Sequence, residues 1–357
     1  VFSITKFSIN KFKLLLILLI LSLFLTSCKE RTPELVRENQ FVLGTFGQIQ
    51  AYSTSTKKGN ETLTMAYQRI HEIENKMSVA IEGSDVDRIN KKAGIEPVEI
   101  SQETLGVIQE GLEYYQMTEG AFNIGLGRLI DLWGISIESA VAPTTKPPSE
   151  EEIQLAKAHI DLQQLEINNG QVFIKDSGMT IDLGGIAKGY AVDEAVRVLK
   201  EAGVESGFVN LGGDIYVLGP KPDGTLWKMG VQNPELGATN VIIKIELANR
   251  SIVTSGDYQR YFIDEETNQR YHHILDPETG YPTDNELTSV TIISNTSIEG
   301  DVWSTAIFIM GLEEGLETLE TLPDVEGILV TKDKKVYTTS GISNEIELLD
   351  TSFTLAN

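Results

Sequence analysis

The segment IDLGGIAKGYAVD, residues 181–193, decides the fold class. It reads as the end of a strand over Met179–Leu183 that turns through Gly184-Gly185 into a helix over about 187–202. Toward the C-terminus the same punctuation recurs, with Phe208–Leu211 leading through Gly212-Gly213 into Asp214–Leu218. Further strands are expected near 227–232, 241–247, 259–263 and 270–275, and another at 288–295 before a helix at about 298–310. Toward the N-terminus, Leu63, Ala66, Tyr67, Ile70, Ile73 and Met77 recur at helical spacing, which predicts an amphipathic helix over 61–78. A second helix runs from an N-cap at Ser101 through Leu105, Ile108, Leu112 and Tyr115, ending near Gly120. Ser149 and Glu152 form a capping box, and Asn168-Asn169-Gly170 within Leu165–Ile174 signals a hairpin. Residues 41–52 read as a first strand broken by glycines. The expected class is α+β, with mixed β-sheets flanked by helices.

Composition narrows the function. The chain has 357 residues, with 52 Asp+Glu against 29 Lys+Arg, and its pI is about 4.6. So acidic a surface repels phosphate backbones and speaks against nucleic acid as a partner. A single cysteine, Cys28, excludes an intramolecular disulfide framework and a Cys-rich zinc site. Residues 14–25 (LLLILLILSLFL) follow three lysines and are too short to span a bilayer, so 1–27 reads as a secretory signal peptide. Leu25-Thr26-Ser27-Cys28 looks like a bacterial lipobox, with Cys28 lipidated. The other reading is a signal peptide with an incidental cysteine. Residues 28–40 are then a polar tether, and 41–350 a domain anchored to the cell membrane and facing outside the cytoplasm.

Three clusters offer chemistry. The Gly184-Gly185 turn could expose helix N–H groups to an anion, with Asp182 and Lys188 beside it, or could serve packing alone. It is neither a Walker A sequence nor a dinucleotide fingerprint. Asp301 and Thr305, four residues apart on one helix face, could ligate a hard cation, or could simply favour the helix start. Of His272 and His273 on one strand, at most one can serve a site; the pair is the natural base candidate, or an exposed edge pair. His71 and His159 read as structural or solvated.

In chain order, LGT (43–45), MS (77–78), SDVDRIN (84–90), TEGAFNIGLGRLIDLWG (118–134), IDLGGIAKGYAVD, VNLGGDIYVLG (209–219), SGDYQRYF (255–262), HHILDPETGYP (272–282) and DVWSTAIFIMG (301–311) resemble the ApbE family of flavin transferases. The resemblance implies transfer of the FMN half of FAD to a threonine of a target protein, with Mg²⁺ required and AMP released. It implies metal ligation by Asp301, Thr305 and the backbone carbonyl of Gly185. FAD contacts fall on Leu43, Ala121, Phe122, Asn123, Asp182, Lys188 and Leu275, and the catalytic histidine on His273. The implied partner is a membrane or extracytoplasmic flavoprotein subunit with a Ser/Thr-Gly-Ala-Thr-like acceptor motif. Two positions depart from the family pattern: Asn123 stands where many members carry Asp, and Val79-Ala80-Ile81 where an aromatic often sits. A Mg²⁺-dependent FAD pyrophosphatase and a tethered flavin-binding lipoprotein are the competing functions.

Overall fold

Period-2 alternation of apolar side chains builds a sheet that is covered on both faces. In the computed structural model, which describes residues 32–135, 146–235 and 237–356, nine strands form one sheet in chain order. They are β1 (Glu34–Val42), β2 (Thr45–Ser53), β3 (Gly207–Leu211), β4 (Asp214–Leu218), β5 (Arg250–Gly256), β6 (Leu287–Ser294), β7 (Glu326–Thr331), β8 (Lys335–Thr338) and β9 (Thr354–Leu355). Each pairs with the next, antiparallel throughout except for the final β8–β9 pair. Three smaller sheets complete the β structure of the described residues.

Successive strand residues point to opposite faces. Leu218, Val290, Ile292 and Leu329 face a helical layer, whereas Val217, Ile252, Ile293, Ile328 and Val330 face a second apolar cluster under the strands Trp227–Gln232, Val241–Leu247 and Ile346–Leu348. All of β6 is buried. The helical layer includes α1 (Thr56–Met77), α2 (Gln102–Met117), α3 (Ala187–Glu201), α4 (Ser297–Met310) and α5 (Leu312–Thr321). Buried residues occur on every side of α4, the pattern of a helix enclosed by its neighbours.

Helix α3 crosses α4 at backbone contact. A Cβ on Gly189 would stand 2.5 Å from the Ser297 carbonyl oxygen and 2.6 Å from Ile298 Cα. Asp193, one turn further on, accepts the N–H groups of Ser297 and Ile298 at 2.8 and 2.9 Å. A half-buried carboxylate thus satisfies orphan donors at the start of α4. Burial raises the pKa of Asp193 to about 6, against the pull of those two N–H groups.

Several expected elements stand as read. They include the Ser101 cap, the Ser149–Glu152 capping box and the Asn169-Gly170 hairpin turn, where both residues have positive φ. Others differ. The tether assigned to 28–40 gives way at Glu34, where β1 begins; its polar, alternating ELVRENQ sequence suits an edge strand with one solvated face. Residues 41–52 are the end of β1 and most of β2, joined by a turn at Leu43-Gly44. The ordered sheet extends past residue 350 to β9.

Met179–Leu183 is not a strand. Its backbone is held by side chain and loop instead: Asn90 accepts the Ile181 N–H and donates to the Ile181 carbonyl, while Asp182 N–H donates to Ile124. Strand β5, with its β-branched Ile252-Val253-Thr254 run, was not among the expected strands, and the strand expected over 270–275 stops at His272. Cys28 and the leader segment lie outside the described residues. Among the described residues, no helix is long and apolar enough to cross a membrane.

The α3–α4 contact yields a test. Gly189→Ala should destabilise the fold by about 1–3 kcal/mol, because the new methyl meets backbone that cannot rotate away. Urea denaturation measures it, and an unchanged midpoint would show that the helices separate freely.

Candidate active site

A cavity of about 460 Å³ opens where four features converge. These are the β1–β2 turn, the β3–β4 turn, the start of α3 and one side of α4. Its volume suits a small organic ligand. All eleven residues assigned to FAD, metal or catalysis line it: Leu43, Ala121, Phe122, Asn123, Asp182, Gly185, Lys188, His273, Leu275, Asp301 and Thr305. Leu126, Ile130, Trp133, Ile135 and Leu275 give one wall an apolar character, and Val79, Ala80 and Ile81 also line the cavity.

The charged end is built around Lys188. Its Nζ lies 2.9 Å from Asp214 Oδ2 and 2.9 Å from Asp301 Oδ1, and both carboxylates are almost wholly buried. Asp301 Oδ2 also accepts the Gly189 N–H at 3.1 Å. Burial works to lower the lysine pKa, but the two carboxylates overcome it and push it up, so Lys188 stays charged. Asp214 is pushed up by burial and then by Asp301, with Lys188 opposing both. One ammonium between two carboxylates leaves the cluster net anionic when all three are ionised. Lys188 was expected as a cation beside the glycines; it reaches the cavity, but its charge is already committed to the carboxylates.

Neutral oxygens surround this cluster. Thr305 Oγ1 lies 3.4 Å from Ser255 Oγ, which is 2.9 Å from Ser304 Oγ. Gly185 carries no side chain because the Phe122 ring packs 3.1 Å from where its Cβ would be. Helix α3 begins here with no side-chain cap. Asp182 turns back to accept the Gly184 N–H at 2.6 Å. Among the described residues no three His, Cys, Asp or Glu side chains form a metal cage. Two carboxylates, a threonine hydroxyl and a backbone carbonyl are nevertheless an all-oxygen set, which suits a hard cation that keeps waters or ligand phosphates.

The histidines separate clearly. His272 is buried: its Nε2 lies 2.8 Å from the Thr283 carbonyl oxygen, its Nδ1 accepts the Ile274 N–H, and its ring packs edge-on against Phe308. Both of its nitrogens serve the backbone. His273 lines the cavity, with Nδ1 3.3 Å from the Arg260 carbonyl oxygen. That oxygen can only accept, so Nδ1 carries the proton and Nε2 the lone pair. Burial first, then the charge of Arg260, lowers the His273 pKa to about 3, so the ring is neutral near pH 7. The pair is therefore not an exposed edge pair. His71 and His159 sit outside the cavity lining, against Glu74 and Gln40 and against Asp176 respectively.

Asn123 uses its amide locally, accepting from Gly125 N–H at 2.7 Å and donating to the Ile160 carbonyl at 3.2 Å. A carboxylate could not make the second bond. Asp214, Glu74, Ser255 and Arg260 were not singled out in the sequence, yet each lines the cavity. Asp214, Ser255 and Arg260 each lay within a stretch that carries the family resemblance, and Asp214 also follows the second Gly-Gly turn, whereas Glu74 had no such signal.

Residues 43–329 match the ApbE family. The chain belongs to the ApbE family. An FAD:protein FMN transferase of Klebsiella pneumoniae is 35% identical over 287 residues, covering 80% of this chain and 87% of that protein. One of Treponema pallidum is 29% identical over 332 residues, covering 88% and 90%. Among solved structures, the ApbE protein of Thermotoga maritima superposes with a TM-score of 0.78 at 32% identity, covering 87% of this chain and 99% of that one. The flavin transferase ApbE of Vibrio cholerae gives a TM-score of 0.76 at 28% identity, covering 86% and 98%. The mixed α and β architecture is thus the ApbE fold.

The buried ion cluster yields a prediction. Lys188→Met should cost about 3–5 kcal/mol at pH 7.5, since it leaves two buried carboxylates without a counter-charge. Removing the ammonium takes away the charge that opposes the rise of the Asp214 pKa, which then stands further above its value in the unfolded chain. The folded state holds protons that the unfolded state lacks, so the loss should shrink as pH falls toward 5. Denaturation at the two pH values decides it; equal losses would mean that the carboxylates do not depend on Lys188.

Proposed function

We propose that the protein is a Mg²⁺-dependent FAD:protein FMN transferase, moving FMN onto a threonine hydroxyl of an acceptor protein through a phosphoester bond. The observation that carries this reading is the gathering of all eleven assigned residues around one cavity, apolar along one wall and charged at one end. In the reaction the threonine oxygen attacks the FMN-side phosphorus of the pyrophosphate. The phosphoanhydride P–O bond breaks and AMP leaves, so no oxidant or reductant is needed. His273 Nε2, the lone-pair nitrogen of a neutral ring, takes the threonine proton. The Gly184-Gly185 turn at the start of α3 lines the cavity and would face the phosphates. Asp301, Thr305 and the Gly185 carbonyl, beside Asp214, line the cavity and would hold the cation. When bound, Mg²⁺ supplies the positive charge that phosphoryl transfer requires.

The acceptor is an extracytoplasmic or membrane flavoprotein subunit carrying a Ser/Thr-Gly-Ala-Thr-like motif, and the enzyme is lipidated at Cys28. Residues 29–33 between that cysteine and β1 span at most about 18 Å, which keeps the domain near the membrane surface.

The test combines the purified soluble domain, FAD, Mg²⁺ and an acceptor fragment. Intact mass should rise by one FMN phosphoester with matching AMP, and EDTA should abolish both. Free FMN and AMP beside an unmodified acceptor would instead identify a pyrophosphatase, and intact bound FAD a binding protein. The low pKa of His273 adds a second expectation. Because the ring keeps its lone pair down to about pH 3, kcat/KM should show no acid limb near pH 6.5 that depends on this residue. Such a limb, present in the unaltered enzyme and lost in His273→Ala, would overturn the assignment.

A further inference from the structure

The β1–β2 turn contains a conformation that its sequence does not favour. Leu43 and Gly44, its two central residues, have φ of 48° and 62°. Two-residue hairpin turns with positive φ at both central positions are dominated by Asn-Gly, Asp-Gly and Gly-Gly, because a Cβ is strained there. A leucine in the left-handed region is an outlier. Its side chain explains why it is used, since it packs against the main core and lines the cavity. The pairing of Val42 with Thr45 imposes the two-residue turn, and a further tie to its backbone would offset the strain at Leu43.

Glu74, on α1, is placed to do so. Its Oε1 accepts the Leu43 N–H at 2.7 Å. Its Oε2 lies 3.2 Å from His71 Nδ1, and His71 Nε2 lies 3.1 Å from Gln40 Oε1 on β1, the strand that leads into the turn. The carboxylate is thus fixed from both sides. The turn it holds abuts the β3–β4 turn, where Gly212 donates its N–H to the Phe46 carbonyl at 3.2 Å. Strain at a site, held by neighbouring structure, is a recognised way of fixing a binding surface.

We propose that Glu74 is a positioning residue for the nucleotide cavity: through the Leu43 N–H it holds Leu43 in the left-handed conformation and so places the turn that forms one wall. The inference rests on the FMN-transfer reading for the identity of the ligand, and on the turn geometry alone for the role of Glu74.

The experiment uses Glu74→Ala, Glu74→Gln, Leu43→Asn and the double variant Glu74→Ala/Leu43→Asn. Two quantities are read in each: FAD affinity by flavin fluorescence, and amide exchange of the peptide covering 41–46 by mass spectrometry. Glu74→Ala should weaken FAD binding by about tenfold, the scale of one lost charge-assisted hydrogen bond, and should release the Leu43 amide to exchange. Glu74→Gln keeps an acceptor and should stay within about threefold. Asparagine tolerates the left-handed region, so adding Glu74→Ala to the Leu43→Asn background should cost less than it does alone. Equal costs in the two backgrounds would overturn the proposal, as would full affinity in Glu74→Ala. If Glu74→Ala does not fold, Glu74→Gln still decides: a tenfold loss there would show that charge, not the bond to the turn, is what matters. Failure of the unaltered protein to bind FAD would reject the FMN-transfer reading, and the exchange of the 41–46 peptide would still decide the role of Glu74.

Discussion

One ammonium group ties the site together. Lys188 comes from α3, Asp214 from the start of β4 and Asp301 from α4, and the three meet at 2.9 Å contacts in an almost closed interior. A buried carboxylate without a partner is expensive, so none of these elements can shift without exposing the others to that cost. The arrangement also requires two helices at backbone contact. Asp301 takes the N–H of Gly189 as well as the lysine, and the absent side chain of Gly189 brings α4 that close. Asp193 then secures the first turn of α4 from the same helix. The ion cluster and the glycine contact are therefore one constraint, expressed once in charge and once in shape.

That constraint sets the cavity. The Gly184-Gly185 turn lies three residues before Lys188, so fixing the lysine restrains the start of α3 and the carbonyl of Gly185. Fixing α4 fixes Thr305, one turn beyond Asp301, within reach of the Ser255 hydroxyl. Another wall is set by the strained turn at Leu43, between the paired residues Val42 and Thr45. One side of the site is thus organised by electrostatics in the interior, and the other by a hairpin whose backbone is bonded to a helix.

Legibility followed the physics of each element. Several helices and internal strands were readable because burial imposes period on apolar residues: the 61–78 pattern begins one turn late against α1, and strands β3, β4 and β6 fall within a residue or so of their reading, whereas the internal strands β5 and β7 and helix α5 were not read. Edge and loop structure was less so. Strand β1 is polar on its solvated face and passed for a tether, while Met179–Leu183 has the apolar content of a strand but is held by the Asn90 side chain. For the site, local spacing brought out Asp301 with Thr305 and the glycine turn, and the family resemblance separated His273 from His272. Asp214 and Glu74 were missed because each works through a partner distant in sequence, at 26 and 31 residues. No window on the chain contains such a pair.

The cluster also bears on how so acidic a chain could hold a nucleotide. A lysine beside a glycine-rich helix start invites the reading that it neutralises phosphate. Here it is shared between two carboxylates, and with all three ionised the group is net anionic, so it cannot by itself attract a pyrophosphate. The same excess makes the oxygen set of Asp214, Asp301 and Thr305 attractive to a cation, whose charge would then reverse the local sign. Distant surface acids matter less, since screening removes most of their effect beyond about 8 Å at physiological salt. With a cation bound, the glycine turn, the helix start and the buried acids would together form a site able to take an anionic ligand. A chain of net charge −23 could then accommodate that ligand, because the sign that matters would be set within the cavity.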